Sequence, residues 1–169
     1  MKINNLPRKY NFVLNPYPDE RVTRCPYCEQ KTGQRKIPLF IHVDPNYPIA
    51  LNYTCRYCKN CDLLIAHKHE IEHLLAQMFR QYDPAIIGNE YLIMGTVDKK
   101  AWREGLKQAK PAADVMSSHL AVFKIYYQEL RHTQVGWYPE GQDPPVQEPP
   151  PSQEWVKTKP KRWTPGKRR

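Results

Sequence analysis

Five cysteines, Cys25, Cys28, Cys55, Cys58 and Cys61, fall within 37 residues of a 169-residue chain. They read C-x-x-C, then 26 residues, then C-x-x-C-x-x-C. Thiolates paired in such tight turns can converge on one metal ion, because each turn aims backbone amides at its sulfurs. The odd count and the lack of an export signal argue against a disulfide framework. Spacing leaves the set of four open, since Cys58 can pair with Cys61 or with Cys55. A four-thiolate tetrahedron has no free position, so its single ion is expected to be structural. Zinc is the expected ion and iron the alternative.

A second string, His69-Glu70-Ile71-Glu72-His73, matches the His-Glu-x-x-His of zinc metallopeptidases, where two histidines one turn apart hold the ion and the glutamate activates water. Helical geometry speaks against that use here. At about 100° per residue, Ile71, Leu74, Leu75 and Met78 gather on one side, with His69, His73 and Arg80 nearly opposite. A solvated charged face is expected, with Glu70 and Glu72 suiting a helix N-terminus. Cys25-Pro26-Tyr27-Cys28 is also the tetrapeptide of glutaredoxins, but there a buried strand precedes it, whereas Arg21 to Arg24 is polar. His67 and His119 sit on apolar faces and read as hydrogen-bonded core histidines. The chain holds no Gly-rich phosphate loop, serine-nucleophile signature or paired-carboxylate site, so no catalytic residue or small-molecule substrate is assigned.

Charge is unevenly placed. Lys and Arg number 26 against 17 Asp and Glu, a net charge of +9. From Ser152 onward, seven basic residues stand against the single acid Glu154, supplying +6 of that total. Trp155, Lys157, Lys159, Lys161, Arg162, Trp163, Lys167, Arg168 and Arg169 interleave indoles with cations. Cations reach phosphates and indoles stack on exposed bases, so nucleic acid is the first expected partner and an acidic protein surface the second. No apolar run is long enough to span a membrane, and a cytoplasmic protein is expected.

Elements must position these residues. Ile37 to Val43, the turn Asp44-Pro45-Asn46, and Ile49 to Tyr53 read as a β-hairpin, with Leu63 to Ile65 as a third strand. The i, i+3, i+4, i+7 pattern of Ile71, Leu74, Leu75, Met78 and Tyr82 predicts a helix over His67–Tyr82, closed by Pro84. Tyr91–Val97 is a candidate strand. Helices are expected over Lys99–Ala109 and from Pro111 to about His132, the latter with Leu120, Phe123, Tyr126, Tyr127 and Leu130 on its apolar stripe. Met1 to Arg24 is expected to be an irregular arm packing through Tyr10, Phe12 and Leu14. Eight prolines between Pro139 and the C-terminus rule out continued helix or central strand, so a disordered tail is expected there.

Residues 22–66 resemble the zinc-ribbon (rubredoxin-like) fold. The first knuckle is Arg24-Cys25-Pro26-Tyr27-Cys28, and the second reads best as Cys58-Lys59-Asn60-Cys61, because Asp62-Leu63-Leu64-Ile65 supplies the strand that follows the last ligand. The resemblance implies a structural ion on Cys25, Cys28, Cys58 and Cys61, with Cys55 the alternative ligand. It departs from the usual pattern at Glu29 and Asp62, where glycine is frequent. The expected architecture is therefore α+β. An arm (1–21) leads to a zinc ribbon (22–66) packed against about three helices (67–138), followed by a basic tail (139–169). The expected role is a non-enzymatic binding module for nucleic acid or a nucleoprotein complex. A protein–protein adaptor and a metallopeptidase are the alternatives.

Overall fold

The computed structural model describes residues 9–98 and 120–157. Its centre is one seven-stranded sheet, and among the described residues a mostly β architecture with one α-helix stands in place of the expected α+β arrangement with about three helices. The strands are β1 (Asn11–Asn15), β2 (Gly33–Val43), β3 (Tyr47–Cys58), β4 (Leu63–His67), β5 (Tyr91–Val97), β6 (Leu120–Val122) and β7 (Tyr126–Glu129). Their order is β6-β5-β2-β3-β4-β1-β7. A separate pair, β8 (His132–Thr133) and β9 (Val146–Gln147), stands outside it. One α-helix, α1 (Lys68–Tyr82), is present among the described residues, followed by a 3-10 turn at Pro84–Ile86.

The β2–β3 hairpin forms as its alternation and turn residues predict, in register from Gly33↔Tyr57 to Val43↔Tyr47. Leu63–Ile65 and Tyr91–Val97 also form strands. Met1 to Arg24 is not simply an irregular arm: Asn11–Asn15 is a strand, parallel to both β4 and β7. Four of its five residues are buried, on both faces, and so give no period-two signal to read from the sequence. Asn15 closes β1: its Oδ1 accepts from the Tyr17 amide at 3.0 Å, and its Nδ2 donates to the Glu20 carbonyl at 2.9 Å.

The helix expected over 111–132 is overturned where it can be seen. Residues 120–132 hold β6, β7 and the start of β8; residues 111–119 and the helix expected at 99–109 lie outside the described residues. Phe123, Tyr126 and Leu130 do meet apolar neighbours, but on extended chain. Phe123 stacks on Phe12 with ring centroids 4.5 Å apart, and Leu130 packs beside Val13.

The same segment curls the sheet. Its two edge strands, β6 and β7, are joined by Phe123, Lys124 and Ile125 alone, and four Cα steps reach at most about 14 Å. Seven strands laid flat would hold those edges about 29 Å apart. The link itself bridges the gap. The Phe123 amide donates to the Met94 carbonyl at 3.2 Å, and the Lys124 amide donates to the Tyr10 carbonyl at 2.8 Å.

Two cores follow from the alternation of side chains. One face of the sheet carries Phe12, Leu39, Ile41, Tyr53, Leu64 and Ile93 against Ile71, Leu75, Ala76 and Phe79 of α1. The opposite face of β1 and β4 carries Val13, Leu63 and Ile65, which pack with Cys25, Cys58 and Leu130.

The chain beyond Pro139 is not free throughout. Trp155 is 5% exposed, inside the larger core, with Phe79 and Tyr91 rings 6.1 and 5.9 Å away. Its Nε1 donates to the Asn89 carbonyl at 2.9 Å. Lys157 Nζ donates to the Ala85 carbonyl and to Asn89 Oδ1. These two residues, expected to contact nucleic acid or a partner, are instead anchors that hold residues 152–157 to the fold. A basic, proline-rich composition hides one well-packed indole.

Candidate metal centre

The sulfurs of Cys25, Cys28, Cys58 and Cys61 all lie within 4.8 Å of one another. Cys25 and Cys61 are 3.8 Å apart, and Cys28 and Cys58 are 3.4 Å apart. A tetrahedron with Zn–S bonds of about 2.3 Å has edges of about 3.8 Å, so the group could hold a metal ion with small adjustments. Tetrahedral four-sulfur sets suit zinc or iron. Among the described residues this is the one set of three or more ligating side chains so grouped.

Backbone geometry builds each knuckle. The Cys25 amide donates to the Gln30 carbonyl at 2.8 Å, and the Glu29 amide donates to the Cys25 carbonyl at 2.9 Å, closing the first turn. The Tyr27 amide points at Cys25 Sγ and the Cys61 amide at Cys58 Sγ, each at 3.4 Å. Such N–H groups stabilise thiolate charge. The residues after each pair, Glu29 (φ 64°) and Asp62 (φ 52°), occupy the left-handed region that glycine usually fills. Asp62 is held there by the Tyr57 hydroxyl at 2.7 Å and by Lys124 Nζ at 3.0 Å. Glu29 has the turn itself and Arg24 Nη1, which donates to its carbonyl at 3.2 Å.

Strand alternation separates the cysteines. In β3, Tyr53, Cys55 and Tyr57 face the larger core, so Cys58, three residues beyond Cys55, faces the opposite side. Cys55 is fully buried among apolar side chains, and burial pushes its thiol well above the ordinary value. Residues 55–58 are extended strand, not a knuckle. That distinction was available in the sequence, because Tyr53 and Tyr57 mark the face on which Cys55 lies.

The thiols themselves differ. The Asn60 side chain and then the Gln30 backbone draw Cys28 down to about 6, while burial pushes Cys58 and Cys61 up. A second layer ties the knuckles to the sheet. Arg56 donates to the Thr32 carbonyl at 2.8 Å and to its hydroxyl, which donates to the Val22 carbonyl at 2.7 Å. Val22 itself has φ 48°, a strained value for a β-branched residue, and this clamp fixes it just ahead of Cys25.

The other expected groups are placed differently. His69 and His73 are exposed on α1, as the helical projection predicts. Glu70 accepts from the Tyr53 hydroxyl, and His73 Nδ1 lies 2.5 Å from Glu154. Glu72 departs from the solvated face: it is 3% exposed, its Oε2 accepting from the Tyr91 hydroxyl at 2.7 Å. His67 is half-buried with Nδ1 3.3 Å from Asn15 Nδ2, and burial lowers its pKa. Lys159, Lys161, Arg162, Trp163, Lys167, Arg168 and Arg169 lie outside the described residues, as does His119.

The chain matches no protein-family model, no curated protein and no solved structure. No helix among the described residues is long and apolar enough to cross a membrane.

Proposed function

We propose that this chain is a non-enzymatic, metal-stabilised binding module of zinc-ribbon type, carrying one structural Zn²⁺ on Cys25, Cys28, Cys58 and Cys61. The observation that carries the reading is the convergence of four sulfurs within 4.8 Å of one another, with two pairs at 3.4 and 3.8 Å against a zinc–thiolate tetrahedron edge of about 3.8 Å. Thiolates kept for a metal suit a reducing compartment. Its partner is nucleic acid or a nucleoprotein complex, contacted through Lys159, Lys161, Arg162, Trp163, Lys167, Arg168 and Arg169. The support is charge: these six cations stand in the last 11 residues. Trp155 and Lys157 have no part in it, being committed to the fold. The histidine string is not proposed as a catalytic centre, because Glu70 and His73 are engaged by Tyr53 and Glu154.

Native mass spectrometry tests the metal: one zinc per chain is expected, and none would refute it. Retention on single-stranded RNA tests the partner, with truncation after Lys157 so that Trp155 stays in place. If six phosphates are neutralised, log K should fall with log salt at a slope of about −4, lost on truncation. Salt-independent binding that survives truncation would favour the adaptor reading, for which Trp137, 85% exposed on the loop between β8 and β9, is the specific support.

A further inference from the structure

A cleft of about 830 Å³ opens between the first two turns of α1 and residues 148–154. None of the cysteines lines it. A volume of this size is typical of small-ligand sites. Its walls carry five carboxylates, those of Glu70, Glu72, Glu129, Glu148 and Glu154, and the cations nearby are already engaged. Lys68 donates to Glu129 at 2.6 Å, and Arg131 reaches both Glu129 and Glu148 at 3.3 Å. His73 and Arg80 lie 2.5 and 3.6 Å from Glu154.

Glu70 and Glu72 have no ion pair among the described residues; each has a tyrosine hydroxyl instead. Glu72 is the telling residue. It is 97% buried in the cleft wall, and its Oε1 has no hydrogen-bond partner among the described residues. An acceptor left open on a buried carboxylate is costly unless something donates to it. A metal ion does not fit, because these carboxylates are not grouped within metal-ligand distance. An organic cation does, since its N–H groups can reach separated acceptors and its carbon stem can lie on apolar walls. Pro16, Pro18, Leu74 and Pro149 supply such walls.

We propose that this cleft binds an ammonium or guanidinium group on an aliphatic stem, with Glu72 Oε1 as its principal acceptor and Glu70 as a second. The head group can belong to a free amine or to a lysine or arginine side chain of a peptide. The site stands apart from the metal centre, none of whose cysteines lines it.

The test is amide-resolved NMR titration of the metal-loaded full chain. The probes are pentylamine, its neutral counterpart pentanol, and the blocked tripeptide acetyl-Gly-Arg-Gly-amide. Saturable shifts confined to the start of α1 and residues 148–154 are expected with a cationic probe and not with pentanol. Binding of pentylamine alone identifies a free amine as the source, and binding of the tripeptide alone identifies a peptide side chain. Glu72→Gln, which keeps an acceptor for Tyr91, should weaken binding at least tenfold. Should that variant not fold, Glu70→Gln at the exposed acceptor should weaken it severalfold. Failure of both cationic probes to saturate, equal binding of pentanol, or undiminished binding by the folded carboxamide variant would overturn the proposal.

Discussion

Replacing Trp155 by alanine tests whether the proline-rich C-terminal region belongs to the fold. Its indole is 5% exposed and lies among Phe79 and Tyr91, with its N–H on the Asn89 carbonyl. Truncating a buried aromatic of this kind costs about 3–5 kcal/mol, in which the lost hydrogen bond accounts for about 1 kcal/mol. Domains of this size have about 5–15 kcal/mol in total, so about a fifth or more of the stability should go. The melting temperature should fall by roughly 6–20 °C, at about 2–4 °C per kcal/mol for chains of this length. Urea unfolding should show the loss as a lower midpoint with an unchanged slope. Gly88→Ala approaches the same contact from the other side. Gly88 has φ 95°, and a Cβ there would sit 2.5 Å from Lys157 Cα, so the segment must shift. The two changes should be less than additive, because each removes the same docking. A loss below about 1 kcal/mol for Trp155→Ala would refute the reasoning, since surface substitutions fall in that range.

Cys61→Ala should abolish metal binding in native mass spectra, whereas Cys55→Ala should leave one ion per chain and cost stability alone. A strong chelator should speed amide exchange at residues 24–32 and 58–62 while the core under α1 stays protected, because that core is built without the knuckles. Glu29→Gly should raise the unfolding free energy by about 0.5 kcal/mol, read from urea melts: relief of a left-handed non-glycine residue outweighs the extra freedom of the unfolded chain. Burial holds the His67 pKa below its ordinary 6.5, so the unfolded chain binds that proton first. Its contribution is full above pH 6.5 and falls as the pH drops through that value toward the lower folded one. A His67→Gln variant should lack this part of the acid-side decline in urea midpoint between pH 8 and 5.

The parts legible in sequence are those where one physical signal acts alone. The β2–β3 hairpin alternates around Asp44-Pro45-Asn46, and α1 carries a helical stripe broken at Pro84. Elsewhere two signals compete. Phe123, Tyr126 and Leu130 are spaced as on a helix, yet the open edge of β1 offers Tyr126 and its neighbours a ladder of backbone partners, and tertiary pairing overrides the local period. Glu72 falls among charged neighbours at a helix start, and only the position of Tyr91 across the fold explains its burial. Trp155 is likewise invisible, because an indole among lysines and prolines has the composition of a solvated tail. The cysteines mark the knuckles from spacing alone, but choosing between Cys55 and Cys61 requires reading β3 through to Cys58 as one strand.

The three-residue link between β6 and β7 constrains how the molecule is made. β1 stands near the start of the chain, and its partner β7 begins more than a hundred residues later. On a ribosome, β1 therefore waits with one edge unsatisfied until Tyr126–Glu129 has emerged. Such sequence-distant pairing closes slowly, and the waiting edge is a place where two nascent copies can join wrongly.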